Sequence, residues 1–151
     1  MKSLKEILQD PQVYPRIVED CLKVLDEEVS KKSGLTGMAI KGTYKVLKGV
    51  QNGRILRKAV ETLLPEFVEK LEPHYLAYSQ GKDPGSWEAF LRPQYETIAH
   101  ELLEVTDAKV ARTRERTLRS AYEKLRPRAH REVVGSLPAL ARMMERYLPR
   151  R

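Results

Sequence analysis

The sequence predicts an all-α domain: a compact single-domain bundle of about seven helices, several of them kinked by proline. Three observations predict it. Apolar residues recur at steps of three and four along most of the chain, the spacing that lines one face of a helix. Strict alternation of β-branched residues, which would mark strands, is absent. Of nine prolines, several follow a capping candidate by one to three residues, where proline marks a first helical turn.

The elements follow in order. Ser3 opens a short helix that ends at Asp10–Pro11. Pro15 sits in the first turn of the next, through about Lys31, with Ile17, Cys21 and Val24 beside Val18, Leu22, Leu25 and Val29 on its apolar rows. Its outer face is acidic, with Glu19, Asp20, Asp26, Glu27 and Glu28. SKKSG, residues 30–34, closes it with basic residues and a glycine. A glycine- and lysine-rich helix covers about Thr36 to Val50, and QNG breaks it. Another runs from about Arg54 to Leu64. Pro65 starts or kinks its continuation, and Pro73 begins a last turn through Tyr78.

SQGKDPGS, residues 79–86, reads as a surface loop. Each half of the chain alone looks too small for a robust core, so the loop is not taken as a domain boundary. Ser86 caps a helix carrying Trp87, Phe90 and Leu91, and Pro93 kinks or restarts it through Val105. Thr106 or Asp107 caps a basic helix to about Arg126, with Ala108, Ala111, Leu118, Tyr122 and Leu125 inward. Pro127 ends that helix. A short helix over 128–134 and a final one capped by Ser136 complete the chain.

Composition narrows the class. Hydrophobic residues are 41% and charged residues 32%, a globular balance rather than a disordered one. The single cysteine, Cys21, forms no intrachain disulfide, which fits a reducing compartment. MKSLKEILQDPQVYPR lacks the apolar run of a secretory signal, and no stretch approaches the length of a membrane span. The expected location is the cytoplasm. The net charge is +7, and nine Lys/Arg against two Glu crowd residues 109–131. Such a field attracts nucleic acid, anionic lipid or an acidic protein without choosing among them.

Residues 34–53, GLTGMAIKGTYKVLKGVQNG, pose the sharpest question, because they hold five of the eight glycines beside a regular lysine series. Gly37 to Gly42 has the G-x-x-x-x-G skeleton of a nucleotide phosphate loop. Thr43 and Tyr44 then stand where lysine and a hydroxyl residue are needed, and no strand feeds the loop. A helix explains more. Lys41, Lys45 and Lys48 share one face with Gly34 and Gly37, while Ala39, Ile40, Thr43, Leu47 and Val50 form the core face. Gly42, Val46, Gly49 and Gly53 form a third row. Each mid-helix glycine costs about 1 kcal/mol against alanine, so the row implies a contact. The preferred expectation is a tight internal helix crossing at Gly42, Gly49 and Gly53. The alternatives are a basic face whose bare backbone admits a phosphate or partner, and a hinge.

Lys109, Arg112, Arg116 and Arg119 step by three, four and three, which on one helix makes a second basic stripe. Its ordinary reading is pairing with the acidic second helix or with Glu96, Glu101 and Glu104. No catalytic, cofactor or metal set stands out. Glu96, His100 and Glu104 share a helix face but lack the second Glu-x-x-His of a di-iron bundle, and the three histidines are scattered. Cys21 reads as a small buried filler.

SGLTGMAIKGTYKVLKG, LLPEFVEKLEP, VTDAKV and SAYEKLRPRAH together resemble a small bacterial family of unknown function. The resemblance covers nearly the whole chain. It implies a helical single domain in the bacterial cytoplasm and transfers no activity. The function expected from the residues is non-enzymatic: a basic binding or adaptor domain on an anionic partner, nucleic acid or acidic protein, through Lys41, Lys45, Lys48, Lys109, Arg112, Arg116 and Arg119. The rivals are a self-associating structural protein, joined as a homo-oligomer through the glycine row, and a bundle that holds a small hydrophobic ligand or lipid.

Overall fold

A computed structural model describes residues 2–149, and among them it contains helices and no strand. Seven α-helices form, five of them long: α1 (Leu4–Gln9), α2 (Tyr14–Ser30), α3 (Gly34–Gly49), α4 (Arg54–Gln80), α5 (Trp87–Leu91), α6 (Tyr95–Arg112) and α7 (Arg116–Glu145). The short ones are α1, with 6 residues, and α5, with 5. Tight 3-10 turns, Val50–Gly53 and Arg92–Gln94, lead into α4 and α6.

The local signals hold where three or four residues decide them. The Ser3 hydroxyl accepts the Glu6 amide at 3.0 Å, and Ser86 accepts the Ala89 amide at 3.1 Å. Pro15 lies in the first turn of α2. Two further orphan amides of α1, Leu4 and Lys5, donate to the Glu72 carboxylate of α4 at 3.0 and 3.1 Å, so this short helix is held by a neighbour's side chain.

Long-range packing overrides the signals elsewhere. Pro65 and Pro73 lie inside α4, which runs unbroken for 27 residues. A mid-helix proline costs about 3 kcal/mol. Buried Leu64, Leu71, Tyr75 and Tyr78 on both sides of the prolines give one continuous apolar face that outweighs it. Pro127 likewise does not end α7, which continues through Pro138 for 30 residues. Ser136 is not a cap. It sits inside α7 and donates to the Glu132 carbonyl at 2.9 Å. Thr106 and Asp107 are not caps either. They lie inside α6, which ends at Arg112, and the extended step at Thr113–Glu115 separates α6 from α7. The expected basic helix is therefore two helices, and Ala108 and Ala111 are exposed rather than inward.

One core joins the two halves of the chain. Leu4, Leu71, Tyr75 and Tyr78 from before the loop pack with Trp87, Ile98, Leu102 and Leu137 from after it. Trp87 is 1% exposed, and its ring meets Tyr75 and Tyr78 edge-on at 5.6 and 5.3 Å. A second cluster of Leu8, Ile17, Val18 and Leu64 ties α1 and α2 to α4. Cys21 packs beside it, where burial and nearby Asp20 push the thiol up to about 12, so it stays protonated at neutral pH. His74 of α4 bridges to α6, with its ring nitrogens 2.7 Å from Gln94 Oε1 and 2.8 Å from Glu101 Oε1.

Asp107 joins α6 to α7. Its carboxylate accepts from Arg126 at 2.8 and 3.0 Å and from the Tyr122 hydroxyl. The Arg126 hydrogen bonds, helped by Tyr122 and opposed by partial burial, hold this carboxyl below the usual range. A depressed folded-state value contributes stability above the unfolded carboxylate range and loses it as pH falls through the folded value. Asp107→Asn is therefore expected to lower stability at neutral pH, and its deficit should shrink steadily as pH falls below about 4. Urea midpoints measured across that range check this. A deficit independent of pH would assign the effect to lost shape rather than lost charge.

Candidate partner-binding groove

Helix α3 stands outside both core clusters. Only Gly37, Ile40 and Leu47 are buried along it, which sets its inward face. That face is rotated from the expected one. Ala39 is exposed and Gly37 is buried. Lys32, just before α3, pairs with Glu132 of α7 at 2.5 Å. From there α3 and the first half of α7 lie side by side in opposite directions, because the α3 residues 38–46 face the α7 residues 116–124 across an open groove.

The groove holds about 550 Å³. Met38, Ala39, Gly42, Thr43 and Val46 form one wall, and Thr117, Ser120 and Ala121 form much of the other. Leu35, Met38 and Val46 are 87%, 70% and 59% exposed. Large aliphatic side chains this open, set along one helix face, are the kind of patch that marks an interaction surface. Arg116 and Lys124 edge the α7 side, and Arg131, one heptad beyond Lys124, continues the same side of the helix.

The glycine row has a different cause from the expected internal crossing. A Cβ at Gly42 or Gly49 would meet nothing within 4 Å, so no helix of this chain approaches either. Gly53 is not helical at all. Its φ of 84° closes a left-handed turn with Gln51 and Asn52 at 50° and 57°, a backbone region that glycine enters most readily. The tightly packed glycine is Gly37, where a Cβ would lie 2.6 Å from the Lys32 carbonyl carbon.

The two basic stripes also divide. Lys48 pairs with Asp26 at 3.1 Å and sits over the Tyr44 ring at 5.6 Å, away from the groove. Tyr44 donates to the same carboxylate, and that bond, with Lys48, holds Asp26 below its ordinary range. Lys109 pairs with Glu66 at 3.2 Å. Arg119 folds back onto the Thr113 carbonyl. Arg112 lies exposed at the end of α6. Lys41 and Lys45 remain exposed on α3, and Arg116 remains at the groove. Among the described residues none of these three, nor Lys124, is joined to a carboxylate. Lys124 was not singled out in sequence, because its neighbourhood depends on α3 folding back beside α7. The expected pairing of the second stripe with Glu96, Glu101 and Glu104 does not form; His130, His74 and His100 respectively meet those carboxylates.

Fold and groove together define a small all-helical domain with an open groove, aliphatic on the α3 side and edged by Arg116 and Lys124 on the α7 side. Residues 4–148 match the family described as a family of unknown function (DUF6918), and the chain belongs to it. No curated protein and no solved structure matches the chain. Among the described residues no helix is long and apolar enough to cross a membrane.

Proposed function

We propose that this chain is a non-enzymatic helical binding domain that docks on an anionic partner through the α3–α7 groove, in a reducing, cytoplasmic setting. The observation that carries the reading is the groove lined by exposed Met38 and Val46 and edged by Arg116 and Lys124, cations that lack carboxylate partners, with exposed Leu35 one turn before Met38 on the same helix. An unpaired cation on a protein surface keeps its attraction for a partner, whereas a paired one has largely spent it. Lys48 and Lys109, which are joined to carboxylates, are therefore left out of the binding surface. Arg119 is turned onto a backbone carbonyl, and Lys41, Lys45, Arg116 and Lys124 are taken as the centre of that surface.

Fluorescence anisotropy with labelled mixed-sequence RNA, DNA and polyglutamate, at low and at physiological salt, tests this. Binding is expected to weaken steeply with salt. The combined charge reversal Lys41→Glu, Lys45→Glu, Arg116→Glu and Lys124→Glu is expected to cut affinity at least about a hundredfold. The thermal midpoint should change little, because all four side chains are exposed. Reversal of Lys48 and Lys109 should instead cost stability and leave binding nearly intact. Equal losses of binding from both sets would mean that net charge alone acts and the groove is not the site.

A further inference from the structure

We infer that the groove seats an amphipathic α-helix with acidic flanks, supplied by another protein. The inference rests on the binding reading above and names its partner. Small residues, Ala39 and Gly42 on one wall and Ala121 on the other, line the groove, and a Cβ at Gly42 would meet nothing within 4 Å. A helix backbone can therefore descend further here than over a leucine or lysine. The apolar row Leu35, Met38, Gly42 and Val46 steps by three, four and four, so it presents a straight edge of about 16 Å, three turns of helix. Two antiparallel helices with a furrow between them accept a third whose ridges fill it.

Charge selects the occupant. Lys41 and Lys45 lie on the outer side of α3, and Arg116 and Lys124 lie on the α7 side. A helix with an apolar seam and Asp or Glu on both sides of it would meet cations on both edges. A second copy of this chain is a poorer match: on α2, its most acidic helix, Glu19 is joined to Arg57, Asp20 to Tyr147, Asp26 to Lys48 and Glu28 to Lys31, which leaves Glu27. A twofold pairing of α3 with itself would bring Lys41 and Lys45 against their own copies. Nucleic acid is disfavoured by the lining, which has open aliphatic side chains and no aromatic ring for a base to stack on. A flat lipid surface would leave the concave floor unfilled.

The test uses the full chain and a displayed library of random peptides of about 18 residues, long enough for the three-turn edge and its ends. Mixed-sequence RNA and vesicles of anionic phospholipid are run in parallel. Enriched peptides are expected to carry apolar residues at helical spacing with Asp or Glu alongside, and to gain helical circular dichroism on binding. They should lose at least about tenfold in affinity for Gly42→Leu and for Val46→Lys. Both positions are exposed, so neither variant should melt below the parent, and Gly42→Leu should melt somewhat above it because leucine favours helix over glycine.

Winners without that periodicity, or indifferent to Gly42→Leu, would overturn the inference. So would RNA or vesicle binding that needs the groove, or a dimer abolished by Gly42→Leu. If polyanions bind and the four-site charge reversal abolishes it while Gly42→Leu does nothing, the helix partner is wrong and the binding reading stands. If neither polyanions nor peptides bind at low salt, both fail.

Discussion

Trp87→Ala is expected to remove about 3–5 kcal/mol of folding stability. Trp87 is 1% exposed and opens α5, directly after the Ser86 cap. Its ring lies edge-on to Tyr75 and Tyr78 and stacks with Phe90 at 6.2 Å, so it joins the end of α4 to α5 in the main core. Truncation leaves a cavity bounded by rings, which relax poorly into empty space. A domain of ordinary stability has about 5–15 kcal/mol in total, so the variant sits near unfolding.

Trp87→Phe keeps the test decisive if the alanine variant does not fold. The indole Nε1 is buried without an acceptor. Phenylalanine leaves a smaller void and removes an unmet donor, so its cost should stay below about 2 kcal/mol. Urea midpoints followed by circular dichroism measure both variants, since the substitutions remove the only tryptophan. If alanine cost no more than phenylalanine, the ring cluster would not be the core's centre.

The local and the long-range parts of this fold were legible to different degrees. Ser3 and Ser86 are caps whose partners lie three residues away, so the sequence holds the whole interaction. Asp107 has the same local look, beside Thr106 and ahead of a helical pattern. Its carboxylate instead serves Tyr122 and Arg126, 15 and 19 positions on. That use appears only once α7 folds back on α6. The prolines misled for a related reason. Their cost is local and visible, whereas the buried face that outweighs it is assembled by other helices.

The same division runs through the candidate site. Periodicity placed Gly42 and Gly49 on one face of α3 correctly. It could not say whether the chain covers that face itself. Lys41, Lys45 and Lys48 look equivalent in sequence, yet Lys48 alone reaches Asp26 on α2. The second stripe assumed one helix through Lys109 and Arg119, and the extended residues Thr113–Glu115 divide it. Of the two stripes only Arg116 lines the groove, while Lys41 and Lys45 stay exposed on α3, an arrangement set by tertiary packing and by nothing within either segment.

The glycines of α3 should therefore respond to alanine with opposite signs. At Gly42 an added methyl enters open space, and the helix gains about 1 kcal/mol of propensity. Gly49 gains less, because it is the last residue of α3. At Gly37 the methyl would lie 2.6 Å from the Lys32 carbonyl carbon and 3.1 Å from its oxygen. Backbone must move, at a cost of about 1–3 kcal/mol that exceeds the propensity gain. Thermal melts are expected to rise by about 2–4 °C for Gly42→Ala and to fall for Gly37→Ala. A fall at Gly42 would restore a buried crossing there. A rise carries a consequence for the proposed function: glycine at position 42 then weakens the isolated fold, and the bare backbone is kept at that cost beside the proposed groove.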